Sequence, residues 1–457
     1  MNLSICSDKE NNIYKILVKK NNEVICEYCM EVTDIVSNVG VRIIYTTLCA
    51  WAVLDFCLLA TISIEVNFFD FEKEYIENLY NFCCKLYKNN FNLDVATLKF
   101  ENQYNYFPYM EKNMNDEFFL GYTGGKDSTL SKILLNDLNK KINYYEVSYD
   151  NNTVRGYGRI FNSIFNKKIY KENSITGYKE SSNLVSFHQA DDIHVTFVAP
   201  YIYDRNIFPS NIAVGLPYDA IHSFENGIPD LVPTETLESL KYLEKLMHNY
   251  GFNKYKIVSP IGTLHTFGVY NLLSKIIDID KLLQLDSCWE YQYNNNPCGM
   301  CPKCQRLKFV LKKCFNIDYL PNVPLLNITS SDFLFGSIHA NKLIKENEIG
   351  IVLNNQIFHD DLSFENEFTE LLNYKYDMSP ITLKNIQFEN DNQRWDVLLE
   401  EIVKSIGIDY REISDVKINS DDVDYLPFEK YYNWGRNNKV LNCCDKQLIK
   451  KKILIRK

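Results

Sequence analysis

Six consecutive residues, Thr123-Gly124-Gly125-Lys126-Asp127-Ser128, combine two glycines, an ammonium, a carboxylate and two hydroxyls. Paired glycines let successive backbone N–H groups turn toward one anion, and a helix starting beside them adds its unpaired N–H groups and positive dipole end. Lys126 adds a full charge. Such a loop suits a phosphate chain, with Thr123, Gly124, Gly125, Lys126, Asp127 and Ser128 as the candidate binding residues. Glu117 to Tyr122 (EFFLGY) reads as a strand leading in, and Leu130, Ile133 and Leu134 recur at helical spacing leading out. The spacings Gly-x4-Gly-Lys-Ser/Thr and Gly-x-Gly-x-x-Gly are both missing, which argues against a P-loop kinase and a dinucleotide enzyme. The bland alternative is a Gly-Gly turn in which Asp127 and Ser128 only cap the helix.

Cys288, Cys298, Cys301 and Cys304 form the second chemical cluster, Cys-x9-Cys-Gly-Met-Cys-Pro-Lys-Cys. Overlapping Cys-x2-Cys steps wrap thiolates around tetrahedral zinc, and four sulfurs leave no position for substrate, so such a site is structural. An iron-sulfur cluster is the other centre that four thiolates suit. Incidental thiols are the third reading. Cys83-Cys84 and Cys443-Cys444 lack ligand spacing and are assigned to packing.

The elements that must position these groups follow from hydrophobic period. Tyr14, Ile16 and Val18, then Val24, Cys26 and Tyr28, alternate around Asn21-Asn22, which predicts a β-hairpin with a left-handed turn. Ile43 to Leu54 is a continuous apolar run, shorter than the ~20 residues that span a bilayer, and reads as a buried helix. Thr61 to Phe68 alternates again, and Tyr75, Ile76, Leu79, Phe82 and Leu86 fall at helical spacing. Asn102 to Asp116 has no period and reads as a connection. From Glu117 the order is strand, loop, helix (Asp127 to Leu138), strand (Tyr144 to Ser148), a βαβ start that predicts a parallel sheet with its ligand beyond the strand C-termini. The expected domains are 1–112, α+β; 113–315, ending in the cysteine cluster; and 316–457, of undetermined fold.

At 457 residues the chain exceeds what one core usually serves. Hydrophobic residues at 46% and charged residues at 24% match folded chains, and 32 Tyr with 27 Phe argue against extended disorder. A net charge of -10 disfavours nucleic acid and anionic membranes as partners. The first residues, MNLSICSDKENN, lack the basic start and apolar stretch of a secretory signal, so the cytoplasm is expected, with most of the 14 cysteines as free thiols.

Thr123-Gly-Gly-Lys-Asp-Ser128 resembles the Ser-Gly-Gly-x-Asp-Ser signature of the PP-loop ATP pyrophosphatases, with Thr123 keeping the hydroxyl of the first Ser. The loop together with the cysteine cluster resembles 7-cyano-7-deazaguanine synthases over roughly residues 115 to 315. Gly215-Leu-Pro-Tyr-Asp219, Gly227-Ile-Pro-Asp230 and Ser259-Pro260-Ile261 follow that family's segments in order, whereas His265-Thr266-Phe267 stands where it usually has a Thr-Lys pair. Over most of the chain the sequence is also similar to UDP-N-acetylmuramoyl-L-alanyl-L-glutamate epimerases. It shares the loop and Cys298-Gly-x-Cys-Pro-Lys-Cys304, but has Leu216-Pro-Tyr-Asp219 in place of Asn-Glu-Arg-Ser and lacks the Cys-Val-Gly segment near the C-terminus.

These resemblances imply an adenine nucleotide α-hydrolase-like (HUP-type) α/β core carrying a zinc knuckle, with ATP, Mg2+ and Zn2+ as cofactors. They imply that a small-molecule or peptide carboxylate attacks the α-phosphorus of ATP, releasing pyrophosphate, with Lys126, Asp127 and Ser128 as the catalytic residues. Ammonia would turn the adenylate into amide or nitrile. Loss of the acidified α-proton would give epimerisation, for which His188, Asp219, His222 and His265 are candidate bases. A nucleotide-binding regulatory or defence protein without turnover is the reading from another class.

Overall fold

The computed structural model describes residues 2–32, 35–56, 61–91, 96–102, 104, 107–122, 124–147, 159–161, 164–169, 193–217, 235, 237–264, 266–285, 311, 317, 319 and 366–376. The protein is α/β, with one mixed and one all-parallel sheet. Its chain divides into two compact units: Met1–Thr123 with Leu135–Val214 and Val232–Val258, and Gly124–Leu134 with Gly215–Leu231 and Ser259–Lys457.

Both sheets belong to the first unit. The mixed sheet opens with β1 (Asn2–Glu10), β2 (Ile13–Lys20) and β3 (Glu23–Glu31), an antiparallel meander. Asn21 and Asn22 take φ of 52° and 67°, the left-handed pair that a two-residue hairpin requires. Tyr14, Ile16 and Val18 are buried on alternate positions of β2, as the sequence period predicts. α1 (Asn38–Asp55) then packs on β2 and β3, and the chain returns through β4 (Thr61–Ile64), parallel to β1. α2 (Asp70–Phe91) leads to β5 (Thr97–Phe100), parallel to β4. The spatial order is β5-β4-β1-β2-β3-β9, the last strand being β9 (Ile164–Ile169).

The parallel sheet has the order β11-β10-β6-β7-β8. Its members are β6 (Met114–Gly121), β7 (Ile142–Val147), β8 (Arg159–Phe161), β10 (Phe208–Ala213) and β11 (Lys256–Val258). β6 runs into the glycine loop and α3 (Lys126–Asp137), and the chain comes back through β7, parallel to β6, the βαβ order expected from sequence. All residues of β10 are buried, as in a strand covered on both faces. Phe119, Tyr145, Tyr201, Phe208, Phe252 and Tyr255 meet mainly edge to face around it, with centroids 4.9 to 6.1 Å apart.

α4 (Ile193–Val198) and α5 (Leu237–Asn249) complete this unit, α4 against α1 and α5 against α2. The second unit contains the start of α3, then α6 (Thr266–Ile276), α7 (Ile279–Gln284) and α8 (Asn366–Tyr376). Among the described residues, no helix is long and apolar enough to cross a membrane.

One carboxylate of α5 ties helix to sheet. Glu244 Oε1 accepts from the Ile257 backbone N–H of β11 at 2.7 Å, and burial raises its pKa despite that bond. A raised folded-state pKa means that the group's stabilisation is complete below its unfolded value, about 4.3, and is lost as pH rises through the folded value. Glu244→Gln keeps an acceptor oxygen and removes the half-buried charge. The variant is therefore expected to melt higher than wild type at pH 7.5, with the gap closing as pH falls toward about 4. Thermal melts across that range check it, and a gap of constant size would refute it.

Candidate phosphate-binding site

The loop after β6 reaches α3 through Gly124, whose φ of 76° lies in the left-handed region. Side chains with a Cβ rarely adopt that conformation, so glycine is the residue this turn requires. The Gly125 carbonyl starts the helix by accepting the Thr129 backbone N–H at 3.0 Å, and the Ser128 hydroxyl also donates to it at 3.2 Å. Ser128 is thus buried and braces the loop from inside. The backbone N–H groups of the first helical turn have no partner within the helix, and with the dipole they form an electropositive end.

Lys126 and Asp127, neighbours in sequence, form an ion pair between Nζ and Oδ2, with their side chains 14% and 29% exposed. The Lys126 ammonium also lies 5.6 Å from the centre of the Tyr270 ring of α6. Among the described residues, the other carboxylate oxygen, Asp127 Oδ1, is buried without a hydrogen-bond partner, as are Thr129 Oγ1 and Ser131 Oγ further along α3. Buried polar atoms are nearly always satisfied in folded proteins, so three orphans in the first two turns of one helix mark a polar site. A lone carboxylate oxygen is the hard donor that Mg2+ prefers, and Asp127 fits that ion by its chemistry.

Two of the segments singled out by resemblance meet this helix end. A Cβ on Gly215 would lie 3.1 Å from Asp127 Cβ and 3.2 Å from the Ser128 backbone nitrogen, so the Gly215 backbone touches the first turn directly. The Ser259 hydroxyl in turn donates to the Leu216 carbonyl at 2.6 Å. Ser259 begins a tight stretch in which Gly262 N–H bonds Ser259 O and Leu264 N–H bonds Ile261 O. The loop, the Gly215 segment and the Ser259 segment are therefore one assembly.

Gly215→Val is expected to push the segment off α3 and weaken phosphate binding roughly tenfold, since a 1 Å misplacement has effects of that order or more. Calorimetric titration with ATP and Mg2+ measures this, with a circular dichroism melt as the folding control. Unchanged affinity in a folded Gly215→Val protein would separate this segment from the site.

Thr123, Cys288, Cys298, Cys301, Cys304, His188, Asp219, His222 and His265 lie outside the described residues. Among the described residues, no three His, Cys, Asp or Glu side chains group to hold a metal ion. Sequence reasoning missed Tyr270, Thr129 and Ser131. Tyr270 gave no signal, being an aromatic at helical spacing, whereas Thr129 and Ser131 only continue a polar run after Ser128. Comparison with protein-family models, curated proteins and solved structures found no match.

Proposed function

We propose that this chain is an ATP-dependent enzyme that adenylates a substrate carboxylate and releases pyrophosphate, a member of the PP-loop ATP pyrophosphatases. One observation carries the reading: a left-handed Gly124 delivers the chain into α3 with Lys126 and Asp127 on its first turn and the Gly215 backbone against it. The missing Walker spacing supports cleavage between the α and β phosphates.

In this reading the loop N–H groups and the Lys126 ammonium hold the β and γ phosphates. A carboxylate oxygen attacks the α-phosphorus, the bond from that phosphorus to the α,β-bridging oxygen breaks, and pyrophosphate leaves with the electron pair. Charge builds on the leaving group, where preorganised N–H donors act most strongly. Asp127 Oδ1 would hold Mg2+, which supplies positive charge to the phosphates. The acyl adenylate is then consumed by epimerisation or by amidation and nitrile formation. Cys288, Cys298, Cys301 and Cys304 hold zinc as a structural clamp, by the donor chemistry of four closely spaced thiolates. The core is of the adenine nucleotide α-hydrolase-like type, and the enzyme works in the cytoplasm.

The test is product identity. Purified protein is incubated with ATP, Mg2+ and a panel of amino acid, peptide and heterocyclic carboxylates, and phosphorus NMR follows the nucleotide. AMP with pyrophosphate is expected. ADP with phosphate from any member, or bound ATP that no carboxylate ever converts, would overturn the proposal. Metal analysis of the same preparation is expected to find about one zinc per chain, lost in Cys301→Ser.

A further inference from the structure

The Lys126 ammonium carries three N–H donors on a flexible four-carbon stem, and a phosphate can use it well only if it is already in place. Asp127 Oδ2 takes one donor. The second restraint comes from far along the chain, where Tyr270 on α6 sets its ring 5.6 Å from Nζ and is itself only 2% exposed. The electron-rich face of an aromatic ring attracts a cation without forming a hydrogen bond. A second carboxylate in that position would neutralise the ammonium and repel an incoming phosphate. A ring holds the cation and leaves its charge and remaining N–H groups for the ligand.

We infer that Tyr270 is a positioning residue for phosphate binding, its ring holding the Lys126 ammonium ready for the β and γ phosphates. This rests on the phosphate-binding reading of the loop. The effect of Tyr270 runs through Lys126, so it should follow the electrostatics of the ring rather than its bulk. Tyr270→Phe keeps the face of the ring, and fluorination of that phenylalanine withdraws electron density with little change of shape.

The experiment measures calorimetric Kd values for ATP with Mg2+, and for pyrophosphate with Mg2+, on the full-length protein. Position 270 carries Tyr, Phe, 4-fluoro-, 3,5-difluoro- or 3,4,5-trifluorophenylalanine, and melts verify each fold. Tyr270→Phe should bind within about twofold of wild type, and Kd should then rise stepwise to about tenfold across the fluorinated series for both ligands. A flat series with wild-type binding intact would overturn the role of Tyr270 and leave the loop reading standing. Full loss in Tyr270→Phe would assign the effect to the hydroxyl and also overturn it. Failure of wild type to bind either ligand would overturn the phosphate site and Tyr270 together.

Discussion

Asp127→Ala is expected to lower pyrophosphate release about a hundredfold or more while leaving the melting temperature unchanged or raised. The first half follows from the proposed chemistry, in which Asp127 orients Lys126 and offers Oδ1 to the magnesium. Loss of one preorganised electrostatic element typically costs ~3 kcal/mol in the transition state, about a hundredfold in rate. The second half follows from burial. Oδ1 is buried without a hydrogen-bond partner among the described residues, a condition that costs about 1–3 kcal/mol and that alanine removes. The opposing loss is the ion pair with Lys126, whose partners are 14% and 29% exposed, so solvent screening holds it to about 1 kcal/mol or less. A residue kept for packing loses stability and activity together, whereas one kept for chemistry separates them. Melts and a pyrophosphate-release assay on one preparation check both halves. Wild-type release by Asp127→Ala would remove Asp127 from the reaction, and a melt lowered by several degrees would make it a structural cap.

Much of the fold was legible because period alone determines it. Tyr14, Ile16 and Val18 could face only one side of a strand, and Asn21-Asn22 tolerates the left-handed turn that the meander needs. The strand, glycine loop, helix and parallel strand from Met114 to Val147 were readable for the same reason. β10 was not. Its sequence, Phe-Pro-Ser-Asn-Ile-Ala, has the composition of a turn, yet it pairs with β6 on one side and β11 on the other. Pro209 is accommodated because the register shifts between it and Asn211. The Asn211 side chain is satisfied by Asp116 Oδ1 and the Glu117 carbonyl, partners that no local pattern announces. β1 escaped notice because only Leu3 and Ile5 mark its buried face before the strand turns polar at Ser7. At the site, the glycine loop and the helix that follows it were legible from residue types, whereas the contact between Lys126 and Tyr270 is made only in three dimensions.

The second large effect lies in the first unit, at a residue that no motif or hydrophobic period singled out. Glu72 sits in the first turn of α2, and its side chain is fully buried. It accepts from Arg42 Nε at 2.9 Å, from a second Arg42 nitrogen, from the Phe69 backbone N–H at 2.8 Å and from the Tyr250 hydroxyl at 2.6 Å. Burial keeps the Tyr250 phenol well above its usual pKa, so it stays a donor, and Thr46 reaches the same hydroxyl from α1. The Arg42 guanidinium also faces the rings of Phe68, Phe69 and Tyr104 at 5.1 to 5.5 Å. One carboxylate therefore joins α1, α2 and the residue that follows α5. Glu72→Ala leaves Arg42 largely buried beside an apolar gap, and breaking a buried pair from one side costs about 3–5 kcal/mol, against a total stability of about 5–15 kcal/mol for a domain. A drop in melting temperature of about 10 °C is expected. Tyr250→Phe removes one donor and should cost only about 1 kcal/mol. Replacing both charges, Arg42→Met with Glu72→Leu, should recover most of the loss, because the penalty of Glu72→Ala comes chiefly from the stranded cation. Denaturant titrations of the three proteins decide it, and a Glu72→Ala cost under about 1 kcal/mol would show that the network adds no more than a surface pair does.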